Sequence, residues 1–338
     1  MAIQLIANMT PVAGWTPVLH MIGLMARCMG ARLHQPSVAR YSRAGRSLLP
    51  LLMPPRHGDG DIAIFVARTP AETLSLLTPR HRLASYRLRV LWLIDSFWVD
   101  RLPPTEKLDA YDVICFTRGG DRDFYESEFG KRALWLGWGS DVLDLGSANP
   151  ERPVDVLRVG RQPPDWDNDV ASGAACAAAG LRFAGRPPFG DTPETQQAQI
   201  MSAYSNAKFV IAHSNLAAPA PYVHPSVEYI TARWTDALAC GAVVAGSQPQ
   251  GDLELVDWPG ALLDFPRIDR AENVAQLAEA AAAWAPETAR RNHLEALRRL
   301  DWRWRFEALA QRMGHYPPAL APEMTRLHSA IAAAEAGC

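Results

Sequence analysis

Two carboxylates stand eight residues apart late in the chain, Glu228 and Asp236, with Arg233 between them. At roughly 100° per residue, positions eight apart fall within about 80° of each other, so one unbroken helix would hold both near one face. Upstream, Gly160-Arg161 and Gly185-Arg186 each close a short apolar run. An arginine fork beside backbone N–H groups is well suited to neutralising a phosphorylated leaving group. Lys208, at the start of another apolar run, is a further candidate cation, although a surface lysine on a strand edge reads the same way. That run ends in His213-Ser214-Asn215, and residues 216–225 follow as a Pro/Ala loop with Tyr222 and His224, suited to covering a ligand. In the first half, Asp95 closes the run Arg89–Ile94. There it serves either as a ligand contact or general base, or as a cap for the next helix.

These residues need a scaffold, and the pattern around them supplies one. Apolar runs at 3–7, 61–67, 89–94, 111–116, 133–136, 154–159, 181–184, 207–212, 242–245 and 262–265 predict strands, most of them alternating with amphipathic stretches. The amphipathic stretches include 17–30, 170–179, 196–204 and 271–283, and the tail reads as helices over 287–300, 302–313 and 322–334. Alternation of this kind, in both halves, predicts an α/β chain with two Rossmann-like domains and mostly parallel sheets. Open α/β sheets place ligand loops at the C-terminal ends of their strands, where Asp95, Gly160-Arg161, Arg186 and His213 fall. Gly146–Pro153 reads as the linker. The expected domains are 1–148, 149–315 and a last helix over 316–338 packing on the first. Residues 34–60 are basic and proline-punctuated (Arg40, Arg43, Arg46, Arg56, His57), either a loop for a second substrate or a solvated excursion.

At 338 residues the chain suits two domains, and its net charge of −2 gives no support to a nucleic-acid protein. Five cysteines, at 28, 115, 176, 240 and 338, show no metal-ligand pairing; most sit among apolar or small neighbours, which fits reduced thiols and a cytoplasmic location. No basic leader precedes an apolar run and no apolar window has transmembrane length, so neither a signal peptide nor a span is expected. No GxGxxG follows the strands at 3–7 or 154–159, which argues against a dehydrogenase.

Arg233-Trp234-Thr235-Asp236-Ala237-Leu238-Ala239-Cys240-Gly241, with the preceding Tyr204-Ser205-Asn206-Ala207-Lys208-Phe209, resembles the donor-sugar signature of nucleotide-sugar glycosyltransferases of the GT-B architecture. The nearer likeness is to glycosyl transferases group 1, and within it to the CgeB-like proteins. Their usual string has Glu where Asp236 stands, a shortening of one methylene. Trp138-Gly139-Ser140-Asp141 is similar to the Gly-x-Asp loop closing many GT-B N-terminal domains. The resemblance covers about residues 153–265, is faint over 60–145 and hardly extends before 60.

The resemblance implies two domains facing a central cleft, with C-terminal helices crossing back to the first. It implies transfer of a sugar from a nucleoside-diphosphate sugar (UDP, GDP and dTDP are not distinguished) to a hydroxyl acceptor, retaining and without a metal or a separate cofactor. Glu228 would meet hydroxyls of the transferred sugar and Asp236 the ribose diol. Arg161, Arg186, Lys208 and Arg233 would supply positive charge, with Gly160, His213 and Tyr222 around the donor. Each has a plainer reading: Asp236 pairs internally, Glu228 heads a helix, and Arg233 braces the acidic pair. In an inverting reaction Asp95 or His20 would be the base. Trp15, Trp98 and Trp138 would suit a sugar or aromatic acceptor. The alternatives are a catalytically inactive binding or scaffold module and a nucleotide-sugar epimerase. The partners expected are the donor and a small-molecule, glycan or other acceptor, with no nucleic acid; peripheral membrane contact and a monomer or homodimer fit equally.

Overall fold

Strands buried on both faces of a sheet read as unbroken apolar runs, and the runs found in the sequence are the strands of two fully parallel sheets. The computed structural model describes residues 1–12, 14–36, 57–188 and 190–337. The chain divides into two compact units, Met1–Gly137 with Phe306–Glu323, and Trp138–Arg305 with Met324–Cys338.

The first unit holds β1 (Ile3–Ala7), β2 (Arg32–His34), β3 (His57–Ala67), β4 (Tyr86–Leu93), β5 (Val113–Phe116) and β6 (Ala133–Trp135), in the order β2-β1-β3-β4-β5-β6. Ile62–Val66 and Val90–Leu93 are almost wholly inaccessible, so the core runs through the middle of this sheet. The helix Thr16–Cys28 joins β1 to β2 with Pro17 in its first turn, where the missing N–H is not needed. The chain returns to this unit at Phe306, whose ring packs edge-on against Trp92 of β4 at 6.4 Å. The basic run Arg40, Arg43, Arg46 and Arg56 lies outside the described residues.

The second unit holds β7 (Val154–Arg158), β8 (Phe183–Ala184), β9 (Ala207–Ile211), β10 (Val243–Gly246) and β11 (Leu262–Asp264), ordered β11-β10-β9-β7-β8. Register pairs Val156 with Phe209 and Phe209 with Val243, so β7, β9 and β10 end side by side. All the strands run the same way. Among the described residues no helix is long and apolar enough to cross a membrane.

One buried cation organises an end of this unit. Arg303, wholly inaccessible, donates to Asp141 Oδ1 at 3.0 Å, Asp301 Oδ1 at 3.1 Å and Asp144 Oδ2 at 2.8 Å. Asp301 also accepts from the backbone N–H groups of Leu143 and Arg303. Residues 140–144 are thereby tied to the start of the helix Trp302–Met313. Removing one member of such a cluster strands the others without water. Arg303→Ala is expected to lose about 3–5 kcal/mol in urea unfolding; a loss below about 1 kcal/mol would show that the three aspartates repack without it.

Candidate functional site

The segments leaving β7, β9 and β10 meet at one edge of the second sheet. Ala212 N donates to Ala245 O and Ser214 N to Ser247 O, both at 2.9 Å, which carries the β9–β10 contact past the strands. Gln162, buried after β7, donates through Nε2 to Val159 O at 3.0 Å and Ile211 O at 3.1 Å, pinning the β7 exit to the β9 exit.

Gly160 has φ +72°, and a Cβ there would come within 3.0 Å of the Arg233 side chain. Glycine answers both constraints, the left-handed backbone and the close approach. Arg233 donates through Nη1 to Arg161 O at 2.9 Å, so it braces the β7 exit rather than the acidic pair. Burial lowers its pKa, and the neighbouring Arg161 charge acts in the same direction. The Arg161 guanidinium lies over the Tyr222 ring at 5.2 Å, which places the Pro/Ala loop beside it. Arg186 is exposed and donates to Gly160 O at 3.2 Å. Arg161, Arg186, Arg233, Gly160 and Tyr222 are therefore brought together in one group.

The acidic pair is arranged differently. The helix begins only at Ala232 and runs to Ala239, with Thr231 extended before it. Glu228 lies in the irregular stretch ahead, so the two carboxylates do not share a helix face. Glu228 accepts from Ser214 Oγ through Oε1 and from Gln250 N at 2.9 Å through Oε2, linking the β9 and β10 exits. Asp236 is 3% exposed. Its Oδ1 accepts from Ser140 Oγ at 2.6 Å and its Oδ2 from Gln197 Nε2 at 2.9 Å, the internal pairing that the sequence leaves open.

Lys208 does not join the group. It is the second residue of β9, and its Nζ is 2.8 Å from Asp155 Oδ1 near the start of β7. Burial favours the neutral form of Asp155, but hydrogen bonds from Arg182 and Lys208 outweigh it and hold the carboxylate below its usual range. β9 is interior to the sheet, so Lys208 is not an edge lysine either.

Buried polar atoms nearly always find partners, and exceptions mark places where water or a ligand completes the structure. Arg161 Nε, Gln162 Oε1, His213 Nε2, Asn215 Oδ1 and Thr231 Oγ1 are buried without one, and all flank the exits of β7 and β9 or the start of the 232–239 helix. That helix has no acidic residue in its first turn and no side-chain cap from Thr231. Its N-terminal N–H groups carry partial positive charge into the same region. Gln162 and Thr231 carry no sequence signal, being single polar residues in loops, whereas Asn215 could be read from its place at the end of a strand.

In the first unit, Arg68 gathers the loops after β1 and β3. It donates to Glu72 Oε1 through Nε at 3.0 Å and Nη2 at 2.6 Å, and to Thr10 O at 3.2 Å, with its guanidinium 5.6 Å from the Trp15 ring centre. Asp95 N donates to Arg68 O at 3.0 Å. Burial, with the Glu72 charge adding, pushes the Asp95 carboxyl up to about 8. Arg68 and Glu72 escape sequence reasoning because an ion pair across one helical turn looks like surface charge. His20 lies inside the helix Thr16–Cys28. Trp98 is buried beneath Arg101, 3.2 Å from its ring centre, and Trp138 packs on Trp302 at 6.1 Å. A cavity of about 390 Å³ lined by Gln4, His34, Asp61, Arg80 and Tyr86 opens at the strand starts, the opposite end from Asp95.

No protein-family model matches the chain, and no curated protein is similar to it in sequence. Its fold is shared with solved structures. HepE of Anabaena, in complex with UDP and glucose, superposes with a TM-score of 0.56 at 12% identity, over 93% of this chain and 100% of that one. A glycosyltransferase from Rickettsia africae ESF-5 gives 0.55 at 8% identity, over 92% and 97%. Sucrose-phosphate synthase from Thermosynechococcus elongatus gives 0.54 at 12% identity, over 92% and 98%. The architecture is that of these structures, two mostly parallel α/β domains of GT-B type, as expected.

Two outcomes test the assignments. Lys208→Ala should cost about 2 kcal/mol of stability, the worth of a hydrogen bond to a charged group, and leave nucleotide affinity within twofold; a tenfold loss of affinity at unchanged stability would return Lys208 to the site. Because the folded pKa of Asp95 lies above its unfolded value of about 4, the Asp95 contribution to wild-type stability falls as pH rises from about 4 to 8. Asp95→Asn removes that fall, so its advantage over wild type in thermal melts should grow across this window to at least about 1 kcal/mol; a constant difference would mean that Asp95 ionises normally.

Proposed function

We propose that the chain is a glycosyltransferase that moves a sugar from a nucleoside-diphosphate sugar to an acceptor hydroxyl. The observation that carries this reading is the concentration of unpaired buried polar atoms and arginines at the exits of β7 and β9. The solved complex of HepE with UDP and glucose, alike in fold, supports it.

In this reading the diphosphate lies against Arg161, Arg186 and the N-terminus of the 232–239 helix, which supply charge without rearrangement. Arg233 acts one step back, holding the backbone of Arg161 in place. Glu228, which also accepts from Ser214 and Gln250, accepts from hydroxyls of the transferred sugar. The reaction breaks the bond between the sugar's anomeric carbon and the diphosphate oxygen and forms one to the acceptor oxygen, and the acceptor proton passes to the departing phosphate. Retention follows from attack on the same face, assisted by that leaving oxygen. We assign Asp236 to holding the helix against Ser140 and Gln197 rather than to the ribose.

The occupied Asp236 carboxylate also favours a second reading, a module that binds the donor without turning it over. Calorimetry against UDP, GDP, dTDP, CDP and NAD separates these outcomes. One nucleoside diphosphate should bind at micromolar strength, and Arg161→Ala should weaken it at least tenfold, about 1.4 kcal/mol. Binding of NAD alone, or of nothing, would sink the transferase. Donor binding with no hydrolysis or transfer of the sugar across a panel of sugar, lipid and phenol acceptors would favour the inactive module.

A further inference from the structure

His213 follows β9, the central strand of the second sheet, and is 1% exposed. Its Nδ1 lies 3.1 Å from the backbone N–H of Ser247, which can only donate. Nδ1 is therefore the acceptor nitrogen, and in a neutral imidazole the proton then sits on Nε2. The Ser247 hydroxyl, 3.2 Å away, has no fixed direction and does not disturb this assignment. Nε2 is buried and has no partner. The ring lies 6.1 Å from Phe265, which offers it nothing polar. Burial pushes the imidazole down to about 3, with the positive charge of Arg233 adding, so the ring stays uncharged near neutrality.

A buried N–H with nothing to donate to is costly, and an acceptor atom brought by a ligand recovers that cost. Around His213 stand Arg233 and Asn215, whose Oδ1 is also unpaired while its Nδ2 holds the His224 and Val227 carbonyls. We infer that His213 is a specificity-determining residue whose Nε2–H donates to an oxygen of the nucleotide donor that carries no proton, a base carbonyl or a phosphoryl oxygen. The inference rests on the transferase reading above and deepens it. A ligand presenting an amino group or a hydroxyl proton at that point meets donor with donor and is rejected. This selectivity differs from that of the arginines, which attract any anion. A neutral donor tests for an acceptor without adding charge.

The test is calorimetry of UDP, GDP, CDP and inorganic pyrophosphate on wild type, His213→Phe and His213→Gln. Phenylalanine keeps the ring's bulk and removes the donor; glutamine restores an N–H at similar reach. His213→Phe should lose at least tenfold in affinity for UDP or GDP, and His213→Gln should recover most of it. A loss shared by pyrophosphate puts the acceptor on the phosphates. A loss confined to UDP or GDP, with the preference over CDP abolished, puts it on the base carbonyl that stands where cytosine carries its amino group. Affinity within twofold of wild type in His213→Phe, or failure of glutamine to recover it in a variant that melts normally, overturns the inference. Nitrogen-15 NMR of the wild type covers the case in which the variants misfold. It should show the proton on Nε2, its signal moving when UDP is added, whereas a proton on Nδ1 overturns the assignment. Wild type that binds no nucleoside diphosphate removes the transferase reading and this inference together; wild type that binds, with His213→Phe unchanged, removes only the inference.

Discussion

All strands of each sheet run in one direction, and most of the rest follows from that. Parallel pairing leaves every strand's C-terminal exit at the same edge, where the chain must turn away into a helix. In the second unit three adjacent exits, those of β7, β9 and β10, have to satisfy their backbone groups at close quarters. Gln162 answers for Val159 and Ile211, the Ser247 carbonyl for the Ser214 N–H, and His213 for the Ser247 N–H. The Gln162 and His213 ties each use one end of a two-ended polar side chain and leave the other end bare. The unpaired Gln162 Oε1 and His213 Nε2 at this edge are thus a by-product of holding the exits together.

The charges are arranged by the same economy. Arg233 spends its hydrogen bond on a backbone carbonyl of the β7 exit, and Gly160 makes room for it. Arg161 is steadied by the Tyr222 face, with no carboxylate in an ion pair with it among the described residues. Pairing it with an acid would have stabilised the empty protein and blunted its attraction for an anion. The carboxylate in this region, Glu228, is engaged instead with a hydroxyl and a backbone N–H. In the first unit the opposite choice is made: Glu72 neutralises Arg68, and burial, with the Glu72 charge adding, makes the Asp95 proton hard to remove.

The fold was largely legible because strands buried on both faces must be apolar throughout. Ile3–Ala7 and Trp302–Met313 are found with the very bounds their patterns suggest, and other elements shift by only a few residues. Arg32–His34 was not legible, because an edge strand of three mostly exposed residues, two of them polar, owes its conformation to β1 alone. The start of the helix Pro193–Ser205 was missed by three residues; its cap uses Thr192 and Thr195, not the usual Ser/Thr with Glu or Gln. At the site, residues next to strand ends could be read from their position. Those recognised only by an unsatisfied atom, such as Gln162 and Thr231, could not, since satisfaction depends on neighbours far away in sequence.

The spacing of Glu228 and Asp236 shows where periodicity misleads. Eight residues predict a shared face only if the helix is continuous, and here side chains outside the segment prevent it. Asn215 Nδ2 takes the carbonyls of His224 and Val227, at 3.0 and 2.9 Å, and Ser214 and Gln250 take the Glu228 carboxylate. Those carbonyls are committed before a helical turn could use them, so the helix begins late, at Ala232. Starting there places its first N–H groups at the strand exits and turns Asp236, in the second turn, toward Gln197 and Ser140. With one methylene fewer than glutamate, that carboxylate satisfies both neighbours inside the unit. The shortened acid and the late helix start are therefore one arrangement: the residue that anchors the helix from behind lets its N-terminus face the exits uncapped.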